Sequence, residues 1–345
     1  MDKKLILAVA GSGKTTYIVD NLSCDKRSLI ITYTNGNYDN LKRKIAEKFY
    51  NEWPKNITLM TYFSFLYTFC YKPFLADKVR AKGILHNQAI IAEEQRRKRE
   101  QYVGLDKESF YMTSGRYFYN NRLAHYIEKN IQEDVNGRIE KYFDELVIDE
   151  VQDISGRDFN FLKNLMAIGI KMLFVGDYNQ HTYDTSRDGT TNKSLYNDKA
   201  KYEAHFSSAG FFLDNTTLKN SWRCSKDICD YISDKLCIEM LSNRSDMDNT
   251  TIEYITDASF IKQILDNDSI VKLHYKNGAR FGSGHNNWGK SKGEDFHQDV
   301  CVMLNKTTSE KRSSDRLVEL AQETKNKLYV AITRARGNVY LVDEE

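Results

Sequence analysis

The chain has 345 residues, 41% of them hydrophobic, which is enough for one large core or two smaller ones, and its length favours two domains. Fifty lysine and arginine residues against 48 aspartate and glutamate residues give a formal net charge of +2, which excludes a strongly basic or acidic protein. Six cysteines without a Cys-x-x-Cys pair indicate reduced thiols in a cytoplasmic protein, and no apolar run approaches the ~20 residues of a membrane helix.

Short apolar runs alternate with longer, polar, helix-compatible stretches, which is the pattern of a mostly parallel α/β sheet. Between residues 71 and 142 the strand pattern lapses, and a charged segment predicts an α-helical insertion. A polar loop at 184–197 precedes a predicted boundary that divides the chain into lobes at 1–205 and 206–345. The predicted strands are residues 4–10, 28–33, 57–62, 145–149, 171–176, 270–275, 299–305 and 339–342.

A glycine-rich loop follows the first predicted strand and opens a helix, which is the context of a Walker A loop. In such a loop backbone N–H groups cradle phosphate oxygens, Lys14 reaches the β- and γ-phosphates, and Thr15 holds Mg²⁺. A glycine turn without a ligand is the simpler alternative, and the strict pattern has glycine in place of Ala8. The predicted nucleotide-binding residues of this loop are Ala10, Gly11, Ser12, Gly13, Lys14, Thr15 and Thr16.

A second signal is an apolar run that ends in two adjacent carboxylates, Leu-Val-Ile-Asp-Glu at 146–150. Adjacent residues at a strand end point in different directions, so they can take different roles. We expect Asp149 to hold the magnesium ion and Glu150 to orient and deprotonate the attacking water. Alone, such a pair is often a solvated strand end, but together with the Lys14 loop it indicates a Walker B element.

The run Asp-Glu-Val-Gln-Asp at 149–153 resembles motif II of the UvrD/Rep/PcrA-type superfamily 1 DNA helicases. Further segments resemble the other motifs in family order, so the resemblance covers almost the whole chain. It implies two RecA-like lobes that close on ATP and Mg²⁺ and move along single-stranded DNA, 3′ to 5′. The segments are Thr-Tyr-Thr-Asn at 32–35, Thr-Tyr-Phe-Ser-Phe at 61–65, Val-Gly-Asp-Tyr-Asn-Gln-His-Thr-Tyr at 175–183, Leu-Lys-Asn-Ser-Trp-Arg-Cys-Ser at 218–225, Ser-Lys-Gly-Glu-Asp-Phe at 291–296 and Lys-Leu-Tyr-Val-Ala-Ile-Thr-Arg-Ala-Arg at 327–336.

The same resemblance assigns roles in nucleotide binding. Gln180 would sense the γ-phosphate from the first lobe, while Arg223 and Arg334 would approach it from the second. Guanidinium groups suit this task because they spread positive charge over the phosphate and do not deprotonate. An arginine on a helix is as often a solvated ion-pair partner. The further nucleotide-binding residues that the resemblance implies are Trp222, which would stack on adenine, Glu294 and Asp295.

Aromatic residues in these segments would line the track for single-stranded DNA and its junctions with duplex. Base–aromatic stacking tolerates any sequence, as a translocating motor requires, although packing in the core explains such residues equally well. The basic run at 96–99 could contact phosphates or could be a solvated helix face. The nucleic-acid residues implied by the resemblance are Tyr33, Thr61, Phe63 and Tyr183, with Phe63 where the family usually has histidine.

The chain also departs from the family. No glutamine precedes the glycine loop to read the adenine edge, and the short interval after Arg223 leaves no room for a large insertion in the second lobe. The missing glutamine leaves the selectivity for ATP over other nucleoside triphosphates open. Thr185 stands where the family has an aromatic residue, and Asn-Trp-Gly at 287–289 stands where it has a histidine region. These two losses concern the grip on the strand, so they favour ATP hydrolysis over duplex unwinding as the activity.

The compact length and the run Trp-Arg-Cys-Ser-Lys-Asp-Ile at 222–228 are similar to helicase-like subunits of antiphage systems such as Gabija, which act beside a nuclease. The alternative function is therefore a nucleic-acid-sensing regulatory NTPase that has a nuclease partner and unwinds little DNA itself.

Overall fold

The computed structural model describes residues 2–182, 188, 190–244, 250–294 and 296–344. Every strand that the sequence predicts is present there, with small shifts at the ends. The strands are β1 (Lys3–Leu7), β2 (Ser28–Thr32), β3 (Ile57–Thr61), β4 (Gly83–Leu85), β5 (Tyr117–Tyr119), β6 (Glu145–Asp149), β7 (Lys171–Gly176), β8 (Phe212–Asp214), β9 (Asn220–Ser221), β10 (Leu241–Ser242), β11 (Ile252–Tyr254), β12 (Val271–His274), β13 (His285–Asn287), β14 (Val300–Leu304) and β15 (Val339–Asp343).

Helices connect these strands, and several begin with a side-chain cap. Thr34, for example, accepts a hydrogen bond from the backbone N–H of Asn37 at 3.2 Å, which satisfies one of the first amide groups of α2. The α-helices are α1 (Lys14–Asp20), α2 (Asn35–Lys48), α3 (Tyr62–Ser64), α4 (Lys72–Val79), α5 (Gln88–Glu100), α6 (Glu108–Tyr111), α7 (Asn120–Tyr142), α8 (Gly156–Leu165), α9 (Lys199–Ser208), α10 (Lys226–Leu236), α11 (Ala258–Asp266), α12 (Lys306–Ser313) and α13 (Gln322–Ile332).

The larger sheet has six strands in the order β3-β2-β6-β7-β1-β8. β2 pairs in parallel with both β3 and β6, so that Ser28 lies opposite Ile57 on one side and Glu145 on the other. All residues of β2 and β6 are buried, as expected for parallel strands that are covered on both faces.

A second sheet has five strands in the order β11-β15-β14-β12-β13, and all its pairs are parallel. Its central strand β14 is completely buried, and apolar residues from α10 and α13 pack in the same core. The predicted α/β fold built on parallel sheets is therefore confirmed.

The segment predicted as a helical insertion contains the whole of α4, α5, α6 and α7, but it is not purely helical. β4 and β5 pair in parallel there as a separate two-stranded sheet. The expectation that strands lapse throughout 71–142 is wrong at these two sites. Each strand has only three residues, which is too short for a periodic pattern in the sequence.

The basic run in α5 lies on a charged helix surface. Arg96 pairs with Glu93 at 3.1 Å and with Glu100 at 2.6 Å, and Arg97 pairs with Glu93 at 2.9 Å. Lys98 turns inward and donates to the hydroxyl of Tyr119 at 2.7 Å. These contacts favour a structural role for Arg96, Arg97 and Lys98, because each of them is bonded within the chain.

The described chain separates into two compact units. The first comprises Met1–Leu5, Ile18–Phe174 and Asp184–Leu213, and the second comprises Ile6–Tyr17, Val175–Tyr183 and Asp214–Glu345. Compactness thus groups the glycine loop with the C-terminal part of the chain. The division into lobes at 1–205 and 206–345 stays a prediction.

The remaining global expectations concern cysteines, metals and membranes. All six cysteines are free thiols, and four of them are buried, so most of them pack in the core as expected. Among the described residues, no cluster of three or more histidine, cysteine or acidic side chains could hold a metal ion. None of the helices described is both long and apolar enough to cross a bilayer.

Candidate functional site

The glycine loop connects β1 to α1 and turns through two left-handed residues. Gly11 has φ +71° and Gly13 has φ +90°, a region that side chains with a Cβ rarely adopt. The hydroxyl of Ser12 is buried in the loop, and it has no hydrogen-bond partner among the described residues. A buried hydroxyl in need of a partner, together with the backbone turn, fits a loop that receives phosphate oxygens.

Within the second unit, the loop lies directly against the segment that contains Trp222 and Arg223. The backbone N–H of Trp222 donates to the carbonyl of Gly11 at 2.9 Å. A methyl group at Gly11 would lie 2.7 Å from the Cβ of Arg223. The structure therefore brings Trp222, the residue predicted to stack on adenine, and Arg223, predicted to approach the γ-phosphate, together with the glycine loop.

Trp222 and Arg223 are held differently. Trp222 is 68% exposed, and its ring lies close to Gly13, so one face of the indole is accessible beside the loop. The Nη1 of Arg223 donates to the carbonyl of Thr333 at 3.0 Å, and the carbonyl of Arg223 accepts from Arg244 at 2.7 Å. The guanidinium is thus oriented by the end of α13.

A buried tyrosine that sequence reasoning did not assign joins three parts of this unit. The hydroxyl of Tyr329 accepts from the backbone N–H of Ala10 at 2.7 Å and donates to the carboxylate of Asp177 at 2.9 Å. Burial, and then the charge of Asp177, raise the pKa of Tyr329 well above its usual value. The hydroxyl therefore stays protonated and keeps donating. No sequence signal separates this tyrosine from the other apolar residues of α13.

The same helix also holds the segment at 175–183. Asn326, one turn before Tyr329, donates from its side chain to the carbonyl of His181 at 2.9 Å. Gln180 lies in the short 3₁₀ turn Tyr178–Gln180 and is buried. α13 thus positions the turn that presents the predicted γ-phosphate sensor.

Arg334 follows α13 and is 1% exposed, with Nε donating to the carbonyl of Val330 at 3.1 Å. Glu294 accepts from the amide of Asn286 at 2.7 Å and lies 3.0 Å from a ring nitrogen of His297, so it is held within its own loop. Asp295 lies outside the described residues.

The two predicted acids lie in the first unit at the carboxyl end of β6. Asp149 is buried and accepts from the hydroxyl of Thr32 at 3.1 Å. Glu150 has a left-handed backbone, φ 55° and ψ 46°, and its carboxylate accepts from the amide of Gln152. A non-glycine residue in this region costs about 1–3 kcal/mol, and such residues concentrate at functional sites. Asp149 and Glu150 thus bond to different partners. This arrangement is compatible with their different predicted roles, as magnesium ligand and as base.

The predicted nucleic-acid residues Tyr33, Thr61 and Phe63 lie together in the first unit, whereas Tyr183 lies outside the described residues. They border a cavity of about 570 Å³ at the carboxyl ends of β2 and β3, which we call the aromatic pocket. The pocket is lined by Tyr33, Thr34, Asn35, Thr61, Phe63, Ser64, Tyr67, Thr68, Ile84 and His86.

Aromatic rings in and behind this pocket contact one another. Tyr33 stacks on Tyr62 with ring centroids 5.6 Å apart, and Phe63 meets both rings edge-on at the same distance. Because Thr32, the residue before Tyr33, bonds to Asp149, the pocket and the acidic strand end share one edge of the sheet. Ligands of open parallel sheets bind at this edge.

Comparison with known proteins places the chain in a family. The AAA domain family matches residues 2–186, which is more than half of the chain. No curated protein sequence matches significantly.

Two solved structures are similar to this chain at low sequence identity. The PRRSV helicase has a TM-score of 0.48 and 13% identity, with 99% of this chain and 52% of that one covered. An arterivirus nonstructural protein 10, a helicase in complex with DNA, has a TM-score of 0.51 and 14% identity, with 99% and 60% covered. The chain thus spans less than two thirds of the length of both viral proteins, and at this identity the likeness concerns the fold. The family match over more than half of its length shows that this chain belongs to the AAA domain family.

Proposed function

We propose that this protein is an ATP hydrolase of the superfamily 1 helicase type, related to the UvrD branch, and that single-stranded DNA stimulates it. The observation that supports this most is the contact of the glycine loop with the Trp222–Arg223 segment and with Tyr329 in one compact unit. A glycine turn with a purely structural role would not require an exposed indole and an oriented guanidinium beside it, whereas a nucleotide-binding loop would use both.

The residues divide the work of hydrolysis. The loop from Ala10 to Thr16 binds the phosphates, with Lys14 on the β- and γ-phosphates, and Trp222 stacks on the base. Glu150 orients the attacking water and takes its proton. Gln180, Arg223 and Arg334 stabilise the charge that develops on the γ-phosphate, a task that suits the planar guanidinium groups of the two arginines.

The site would also hold Mg²⁺. The hydroxyl of Thr15 and the buried carboxylate of Asp149 are oxygen ligands of the kind that this ion prefers, and no sulfur or imidazole is among them. When bound, Mg²⁺ supplies charge neutralisation to the triphosphate.

ATP turnover by the purified chain, with and without a single-stranded oligonucleotide, tests the proposal. We expect stimulated hydrolysis that falls at least about a hundred-fold in Lys14→Ala and Glu150→Gln, since each removes a group that acts on the transition state. Lys42→Ala, which changes an exposed lysine of α2, is the matched control and should retain full turnover. Equal turnover in Lys14→Ala and Lys42→Ala would contradict the proposal.

The nucleic acid and the direction of movement are finer parts of the proposal. DNA is the first substrate to test, because the arterivirus helicase with a similar fold was solved with DNA. Movement 3′ to 5′ follows from the resemblance to the UvrD branch, and strand displacement on duplexes with a single 3′ or 5′ overhang measures it. Displacement from the 5′ overhang only would contradict that branch.

A second candidate function is a nucleic-acid-sensing regulatory NTPase that acts beside a nuclease, in antiphage defence or repair. The compact stretch between Arg223 and residue 291 favours it, because its described residues include β10 to β13, α10 and α11 and no large inserted domain. Robust unwinding by the isolated chain would exclude this candidate. Stimulated hydrolysis without unwinding, and co-purification of a nuclease from the native host, would favour it.

A further inference from the structure

The aromatic pocket has a lining that suits an uncharged ring. Its described lining residues include no lysine, arginine, aspartate or glutamate, and instead combine aromatic rings with hydroxyl and amide groups. Desolvation of its ring lowers the pKa of the partly exposed His86 below the usual histidine value, which favours the neutral imidazole. A phosphate would find no counter-charge here, whereas a nucleobase could stack on the rings and bond to the polar groups.

One wall of the pocket comes from the insertion and not from the helicase-like segments. Ile84 belongs to β4, and the exposed His86 follows that strand directly. The imidazole meets the ring of Phe63 edge-on, with centroids 4.8 Å apart and an interplanar angle of 82°. The insertion therefore completes the pocket that the predicted nucleic-acid residues begin.

A π-helix holds this wall in place. It spans Phe65–Tyr71, directly after α3, and π-helical turns occur frequently at functional sites. The hydroxyl of Tyr67 donates to the carbonyl of Ala81 at 2.9 Å, and the N–H of Ala81 donates to the hydroxyl of Tyr71 at 2.7 Å. The backbone N–H and the carbonyl of Ala81, just before β4, are thus both hydrogen-bonded, and this fixes the path of the chain toward His86.

We propose that His86 is a nucleobase contact supplied by the insertion, which adds one ring to the aromatic pocket. The proposal rests on the proposed nucleic-acid-dependent function, and it adds to that function a residue outside the helicase-like segments. Stacking of a base on the imidazole would contribute affinity without a basic surface.

The test measures binding of a fluorescent oligothymidine by anisotropy, without nucleotide. His86→Ala should weaken binding about five-fold or more, the lower end of the stacking contribution of one base. The slope of log K against log salt should not change, because no phosphate contact is lost. His86→Tyr, which keeps a ring, should retain most of the affinity.

A matched control comes from a second histidine that packs edge-on against a phenylalanine. His205 is exposed, its ring centroid lies 5.3 Å from that of Phe159, and it does not line the pocket, so His205→Ala should bind like the wild type. An oligonucleotide of the same length with abasic sites supplies the second arm. The wild type should bind it more weakly, and His86→Ala should cause little further loss.

The outcomes separate the two proposals. Unchanged binding in His86→Ala, a changed salt slope, or an equal loss on the abasic strand would overturn the base contact alone. A wild-type protein that binds neither oligonucleotide would contradict the nucleic-acid-dependent function as well, while ATP turnover in Lys14→Ala tests the nucleotide site independently.

Discussion

The bridge made by Tyr329 allows a quantitative prediction, because Tyr329→Phe removes one oxygen and leaves the ring in place. The lost hydrogen bond to the Asp177 carboxylate is worth about 1.5–3 kcal/mol, and the bond from the N–H of Ala10 about 1 kcal/mol. Asp177 keeps its bond from the N–H of Asn179 at 3.1 Å, which limits the cost of desolvation. We therefore expect Tyr329→Phe to lower the free energy of unfolding by about 3 kcal/mol.

Urea denaturation measures this change, with far-UV circular dichroism and tryptophan fluorescence as probes. The transition midpoint should fall without a change in the slope m. The control is Tyr254→Phe, since Tyr254 donates to the carboxylate of Asp343 at 2.7 Å but at an exposed site. Water replaces that bond, so the control should lose less than about 1 kcal/mol. If Tyr329→Phe lost no more than Tyr254→Phe, the bridge would not contribute as its burial implies.

Three further predictions concern backbone and charge. Gly11→Ala should reduce ATP turnover at least about ten-fold, because a methyl group would be strained at φ +71° and would lie 2.7 Å from the Cβ of Arg223. Gly137→Ala, within α7, should raise the free energy of unfolding by about 0.5–1 kcal/mol in the same urea assay, since the methyl meets no described atom within 4 Å. It should leave turnover intact and so controls for Gly11→Ala. The hydrogen bonds from Arg27 lower the pKa of Asp144 to about 2, so NMR should show that carboxyl titrating near pH 2. The contact between Asp144 and Arg27 should contribute fully to stability above about pH 4, and this contribution should be lost as the pH falls through about 2. In Arg27→Met the midpoint should rise toward about 3.9.

The sequence predicted strand bounds best for strands that are buried on both faces. β2 and β6 contain continuous apolar runs, and their bounds follow directly from those runs. β13 consists of His285, Asn286 and Asn287 and was not predicted, because pairing with β12 stabilises it and its own side chains are polar. Short strands of this kind depend on a partner that is distant in the sequence, and a local pattern cannot reveal them.

The residues of the candidate site also differ in how well the sequence predicts them. The glycine loop and the carboxylates carry their chemistry in the residue types, so Lys14 and Asp149 could be identified from the sequence. Tyr329 and His86 could not, because a tyrosine in an apolar helix and a histidine in an insertion become informative only when their neighbours are known. Tyr329 is positioned by a contact with Asp177, which lies 152 residues away in the sequence. His86 is positioned by a π-helix, which no periodic pattern in the sequence predicts.

One face of α13 explains why the second unit is assembled from three distant parts of the chain. Tyr329 bonds to Ala10 in the glycine loop and to Asp177, and Asn326 bonds to the carbonyl of His181. These bonds are buried, where an unsatisfied partner is costly, so the helix cannot shift without disturbing both segments. The end of the same helix orients Arg223 through the carbonyl of Thr333. A change at the glycine loop would therefore reach Gln180 and Arg223 through a single helix, and the proposed function could use this route to couple hydrolysis to movement.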